Sequence, residues 1–204
     1  MTRDERLAAA RQDRPSDLVF RGGRIANVFT AEIERADVAV HGGVIVGVGS
    51  GYDGPEIVDL DGAFLVPGLL DAHVHIESSL VTPSEFARAV VPRGTTTVVS
   101  DPHEIANVHG LDGIRYMLEA SEGLPLSVLV MASSCVPATA MGTAGATLDA
   151  GALLTLADHP RVIGLAEVMN FPGVIHGDAS ILAKIDAFTG SPVDGHAPGV
   201  RARL

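Results

Sequence analysis

The chain has 204 residues, 14 basic against 25 acidic, for a formal net charge of −11, and 47% of it is hydrophobic. One to two domains with a sizeable core fit that length, and an acidic surface excludes a nucleic-acid backbone or an anionic membrane as the main partner. The single cysteine, Cys135, excludes an intrachain disulfide and a Cys-rich zinc site.

In chain order, Asp4 to Arg14 reads as a short charged helix closed by Pro15, a peripheral arm over residues 1–16 without the apolar stretch of a secretory signal. Residues 17–63 turn β-rich: the runs at 18–20, 37–40 and 44–48 are separated by glycine-bearing turns, and His41-Gly-Gly43 is a hairpin signal. This predicts a small antiparallel module.

From residue 64 the rhythm is apolar strand, polar motif, helix, repeated. Strands are expected at 64–76, 95–100, 126–132, 162–168 and 192–196, with helices after Thr82, near 112–122, from Asp149 and over 178–188. Thr82-Pro-Ser-Glu85 has the form of a capping box with proline at the first helical position. The pattern is (βα)₄β, a run of parallel βα units, and without a glycine-rich phosphate loop it favours an α/β fold of the (β/α)₈ barrel type. Residues 138–151, rich in glycine and alanine, read as a loop. Nothing approaches 18 uninterrupted apolar residues.

The ionisable residues follow the strands, at the face where a barrel carries its chemistry. His73 and His75, two apart on an extended strand, present both imidazoles to one side; an isolated pair of this kind is equally a pair of hydrogen-bonded core histidines. Glu167 closes an apolar run, where a buried carboxylate needs a cation or a capping role. His196, after the last strand, completes an N/O donor set for a divalent metal. Asp101, His103 and Glu104 stand after the second strand. Asp101 suits a hydrogen bond to a ligand histidine, His103 and Glu104 suit substrate or metal, and cap or loop roles account for them as well. His41, His109, His159 and His176 read as hairpin, loop and helix-end residues. The only lysine, Lys184, falls mid-helix, so no strand-end lysine is available to bridge two metals, and one cysteine cannot assemble the P-C-x-x-C deaminase site.

The segments P-G-L-L-D-A-H-V-H-I-E-S-S over 67–79, D-P-H-E-I-A-N over 101–107 and A-E-V-M-N-F-P-G over 166–173 resemble the bacterial adenine deaminases of the amidohydrolase superfamily. The P-G-x-x-D-x-H-x-H part is shared by many amidohydrolases; the other segments are more specific. The resemblance implies a β-sandwich module over 17–63 and a TIM-type barrel from residue 64. It implies two divalent ions, Mn²⁺ or Fe²⁺: His73 and His75 on one, Glu167 bridging, His196 on the second. Adenine would be hydrolysed to hypoxanthine and ammonia by a metal-activated hydroxide, a step of purine salvage in the cytoplasm. Glu77, His103 and Glu104 are the expected catalytic groups, and Ser78, Ser79 and Asp101 the expected substrate contacts. Expected partners are the small molecule adenine and further copies of the chain, with no nucleic acid and no membrane. The family continues into three more strand units, whereas this sequence leaves the pattern after Gly199. The chain is therefore expected to be a truncated member with about five of eight barrel strands, inactive unless the remainder is supplied. The alternatives are a non-catalytic remnant and another cyclic amidohydrolase.

Overall fold

The computed structural model describes residues 2–139 and 141–198. The chain divides into two compact units, Met1–Pro67 and Gly68–Leu204.

The first unit opens with helix α1 (Arg3–Ala10), shorter than expected, which carries a complete capping box between Thr2 and Glu5. Far from being a peripheral arm, it packs on its unit: Ala9 is buried and the Tyr52 hydroxyl donates to the Ala10 carbonyl at 3.3 Å. Strands β1 (Leu18–Asn27), β2 (Glu32–His41), β3 (Val44–Gly49), β4 (Glu56–Asp59) and β5 (Phe64–Leu65) form one five-stranded sheet. The β2–β3 turn is the expected hairpin, with Gly42 and Gly43 at φ 58° and 71°, as a two-residue primed turn requires. The sheet is mixed rather than antiparallel, because β4 and β5 both pair with β1 in parallel. Phe64 and Leu65 thus belong to this sheet and do not begin the barrel. His41 is buried here, with Nδ1 2.9 Å from Asp17 Oδ1.

The second unit contains β6 (Leu69–Val74), α2 (Pro83–Val90), β7 (Thr95–Ser100), α3 (His103–His109), α4 (Leu111–Ala120), β8 (Ser127–Ser133), α5 (Ala150–Leu154), β9 (Val162–Val168), α6 (Phe171–His176), α7 (Ala179–Ala187) and β10 (Val193–Gly195). Its strands lie in the order β10-β9-β8-β7-β6, every pair parallel, as consecutive right-handed βα units dictate. Among the described residues the result is a curled half-barrel of five strands, with β6 and β10 at its edges. Ile76, Val98, Ile114, Val130, Leu153 and Leu165 are fully buried between sheet and helices, an aliphatic core in keeping with the scarcity of aromatic residues.

Two local expectations fail. α2 starts at Pro83 as anticipated, but the Thr82 hydroxyl contacts Ser84 Oγ at 3.0 Å and makes no cap to the backbone. Glu85, the other half of the expected box, instead pairs with Arg88 at 3.0 Å. Helices α3 and α6 occupy stretches that read as loops, and His109 and His176 close them. Among the described residues, no helix is long and apolar enough to cross a membrane.

Candidate metal centre

The C-terminal tips of the half-barrel strands gather ionisable side chains from four of the five strands. His73 lies in β6 and His75 one residue beyond it; the intervening Val74 is the last residue paired with β7. Alternation along the strand turns both rings the same way, with Nε2 atoms 3.2 Å apart. Glu167, near the end of β9, faces them: its carboxylate oxygens lie 3.6 Å from His73 Nε2 and 3.8 Å from His75 Nε2. His196, just beyond β10, places Nε2 2.7 Å from Glu167 Oε1.

The far nitrogens decide what these rings can do. His75 Nδ1 is 2.7 Å from the backbone carbonyl of Asp101, an oxygen that only accepts, so Nδ1 carries the proton. His73 Nδ1 donates in the same way to Asp194 Oδ2 at 2.7 Å. With Nδ1 committed to these acceptors, Nε2 is the ring atom left to act as a ligand, and both Nε2 atoms and the Glu167 carboxylate point at one another. Three electron-rich donors converging this closely repel unless a proton or a cation lies among them. Imidazoles anchored through Nδ1, beside a carboxylate, suit a borderline divalent metal. His73, His75 and Glu167 fit such an ion, and all three offer ligand atoms within 4.8 Å of one another.

The neighbouring groups form a second cluster. His75 Nδ1 is also 3.4 Å from Glu104 Oε2, and His103 Nε2 is 3.7 Å from Glu104 Oε1. His103 Nδ1 donates to Asp101 Oδ2 at 2.9 Å. That bond, with the Cys135 sulfur beside the ring, raises the His103 pKa to about 11 and keeps it an imidazolium, with its second N–H toward Glu104. Ser78 donates to Glu104 at 2.9 Å, and Glu77 accepts from the backbone N–H of Ile105 at 3.3 Å. Burial, followed by the neighbouring Glu104 charge, pushes the Glu77 carboxyl above the usual carboxylate range, and its Oε2 is buried without a partner.

Of the ten residues expected at the site, nine stand in or at the edge of this cleft; Ser79 is exposed on the 3₁₀ turn at Glu77–Ser79. Asp101 departs from its expected place among the substrate contacts. It is fully buried, and its carboxylate is used up by Ser133, His103 and the Glu167 amide, so no oxygen is left for a ligand. Ser133 and Ser134 were not anticipated at the site, and Asp194, one of the strand-end ionisable groups of the sequence, carried no assigned role. Asp194, in β10, precedes His196 by two, the same spacing as His73 and His75, and that repeat was the available signal. A cavity of about 520 Å³ lies beside the cleft, bounded by Cys135, Leu148, Met169, Asn170 and Lys184. Lys184 donates to the Ser134 carbonyl at 2.8 Å, and burial lowers its pKa.

Residues 64–202 match the model of the Amidohydrolase family. Among curated proteins, the chain is 58% identical to an adenine deaminase of Cereibacter sphaeroides over 93% of its length and 34% of the relative's. It is 52% identical to an adenine deaminase of Desulfatibacillum aliphaticivorans over 98% of its length and 35% of the relative's. It therefore spans about a third of the length of the curated relatives it matches. Among solved structures, N-acyl-D-glutamate deacylase from Bordetella bronchiseptica, complexed with zinc and a phosphonate inhibitor, is similar with a TM-score of 0.59 at 18% identity, covering 90% of this chain and 45% of that one. A mutant of atrazine chlorohydrolase TrzN from Arthrobacter aurescens, complexed with zinc and atraton, gives 0.55 at 20% identity, covering 70% and 43%. Both likenesses concern the fold.

Proposed function

Because the chain belongs to the amidohydrolase family, we propose that His73, His75, Glu167 and His196 hold divalent cations and that the chain carries this part of an adenine deaminase, converting adenine and water to hypoxanthine and ammonia. The observation that carries the metal assignment is the convergence of two anchored Nε2 lone pairs on the Glu167 carboxylate. The substrate assignment is supported by relatives named adenine deaminase at 52–58% identity over more than nine-tenths of the chain.

In this reading His73 and His75 would hold one ion, His196 a second, and Glu167 would offer its carboxylate between them. Divalent cations, Mn²⁺ or Fe²⁺, supply Lewis acidity that brings the pKa of water from about 15.7 toward 7, so a nucleophile exists at neutral pH. The chain's own groups do the rest. Glu77, whose carboxyl burial holds above the usual carboxylate range, is the group assigned to carry a proton to the departing amine. The His103 imidazolium orients Glu104 and stabilises negative charge that develops in the cleft. Ser78 fixes Glu104 from the other side. Such an activity belongs to purine salvage, and the lone free cysteine suits a reducing cytoplasm.

The test is metal content together with ammonia and hypoxanthine release from adenine in the presence of Mn²⁺. Uptake of ions with release of both products supports the proposal. Absence of uptake refutes the site. Uptake with turnover of dihydropyrimidine or hydantoin in place of adenine refutes the substrate and favours another cyclic amidohydrolase. Uptake without any turnover denies this chain the activity and leaves a metal-binding remnant.

A further inference from the structure

The structure assigns Asp101 as the positioning residue of the cleft: from the tip of β7 it holds one ligand of β6 and one of β9 in their mutual geometry. The inference rests on the proposed metal role of His75 and Glu167. The Asp101 backbone carbonyl accepts from His75 Nδ1 at 2.7 Å, which fixes both the tautomer and the tilt of that ring. Its side chain reaches the other way, with Oδ2 accepting the backbone N–H of Glu167 at 2.9 Å. Oδ2 also receives His103 Nδ1 at 2.9 Å, and Oδ1 receives the Ser133 hydroxyl at 2.7 Å. One fully buried residue thereby ties together groups from β6, α3, β8 and β9.

The need for such a tie is visible in the ladder. β8 and β9 pair as far as Ser133 and Ala166, and Glu167 is the first residue past the last pair. The Ala166 carbonyl still accepts from the Ser134 N–H at 2.6 Å, but the N–H of Glu167 bonds a side chain in place of a neighbouring strand. Asp101 takes its N–H, and the Ser134 hydroxyl donates to its carbonyl at 2.6 Å. With both ends of the residue's backbone polar groups occupied, its side chain is directed at His73 and His75. Loss of the Asp101 bond therefore disorients the carboxylate without touching it.

Two substitutions separate this role from simple packing. In Asp101→Asn the amide oxygen can occupy the Oδ2 position and keep both N–H partners, while the amide NH₂ turns to the Ser133 hydroxyl, which can accept as well as donate. Asp101→Ala removes every side-chain bond and keeps the His75 contact, which belongs to the backbone. The readout is Mn²⁺ and Zn²⁺ affinity of the full chain by competition with a chromophoric chelator, beside circular dichroism and a melting curve. Outer partners of metal ligands typically contribute 10–100-fold to affinity. We expect Asp101→Ala to bind 10–100-fold more weakly and Asp101→Asn to stay within a few-fold of the wild type. Ser133→Ala, which preserves volume and removes one anchor of the carboxylate, should fall between them and serves where Asp101→Ala does not fold. Wild-type affinity in a folded Asp101→Ala chain overturns the inference, as does Asp101→Asn or Ser133→Ala falling as far as Asp101→Ala, because position would then not be the cause. A wild-type chain that takes up neither ion instead overturns the metal proposal, and this inference with it.

Discussion

Gly195 stands between Asp194 and His196, and replacing it by alanine should detach the strand that carries both. A Cβ at this position would lie 2.6 Å from the Val168 carbonyl oxygen and 2.8 Å from its nitrogen. Both are backbone atoms of β9, so relief requires β10 to retreat by at least ~0.4 Å from that oxygen to reach a 3.0 Å contact. Overpacking of this kind costs about 1–3 kcal/mol. Against it, β10 is an edge strand of three residues, held at its ends by Leu165 N to Pro192 O at 3.0 Å and His196 N to Val168 O at 3.1 Å. At about 0.5–1.5 kcal/mol per bond, these two and the short Val193–Leu165 and Gly195–Val168 ladder beside them are of the same order as the clash. The strand should peel, breaking the 2.7 Å contacts of Asp194 with His73 and of His196 with Glu167. Zn²⁺ affinity should fall at least about tenfold, and the His196 amide should lose its hydrogen-exchange protection. Gly151→Ala on α5 is the control, since its Cβ meets only Asp149 Oδ1 at an ordinary 3.5 Å; it should leave affinity unchanged. A Gly195→Ala chain with wild-type affinity and a protected His196 amide would refute the reasoning.

His103 should titrate near 11 and not near the ordinary 6.5, read from its ring-proton shift by NMR; a midpoint near 6.5 contradicts the Asp101 pairing. Because that pKa is raised on folding, its stabilising contribution is complete below about 6.5 and is lost as pH rises through about 11. Asp194→Ala should weaken metal binding by about tenfold, the low end of the 10–100-fold range for outer partners, since Asp194 is half exposed; an unchanged chelator-competition curve argues against its hold on His73. Ile114→Ala, which empties a fully buried site between α4 and the sheet, should cost about 2–5 kcal/mol in urea unfolding, and a loss below about 1 kcal/mol would show that the half-barrel core is loosely packed.

The sequence made the half-barrel legible where a signal was local. β7 and β9 run over Thr95–Ser100 and Val162–Val168 as expected, because both are central strands, one a β-branched run and the other an apolar one, flanked by polar motifs. α5 starts directly after Asp149, whose side chain accepts from the Ala152 amide as an N-cap should. α3 escaped notice because no side chain caps it and His103-Glu104 opens it with polar residues that read as a loop. α6 is six residues long and holds Pro172 in its first turn, so its period never shows. Phe64 and Leu65 looked like the start of the strand that follows; their partners Arg24 and Ile25 lie about forty residues away, and pairing at such a distance leaves no local mark. For the same reason His73, His75 and Glu167 could be singled out by type and spacing, while the Asp194 contact with His73 could not: 121 residues separate them. Asp101 was recognised as chemically relevant, yet its orientation depends on Ser133 and the Glu167 amide, which only the folded sheet brings to it.

X-ray absorption on the Zn²⁺-loaded chain, together with an anomalous-scattering map, tests the central claim most directly. Ion density is expected within about 2.0–2.2 Å of Nε2 of both His73 and His75 and of a Glu167 carboxylate oxygen. Density bound through Nδ1 of either ring, or located away from Glu167, would contradict it.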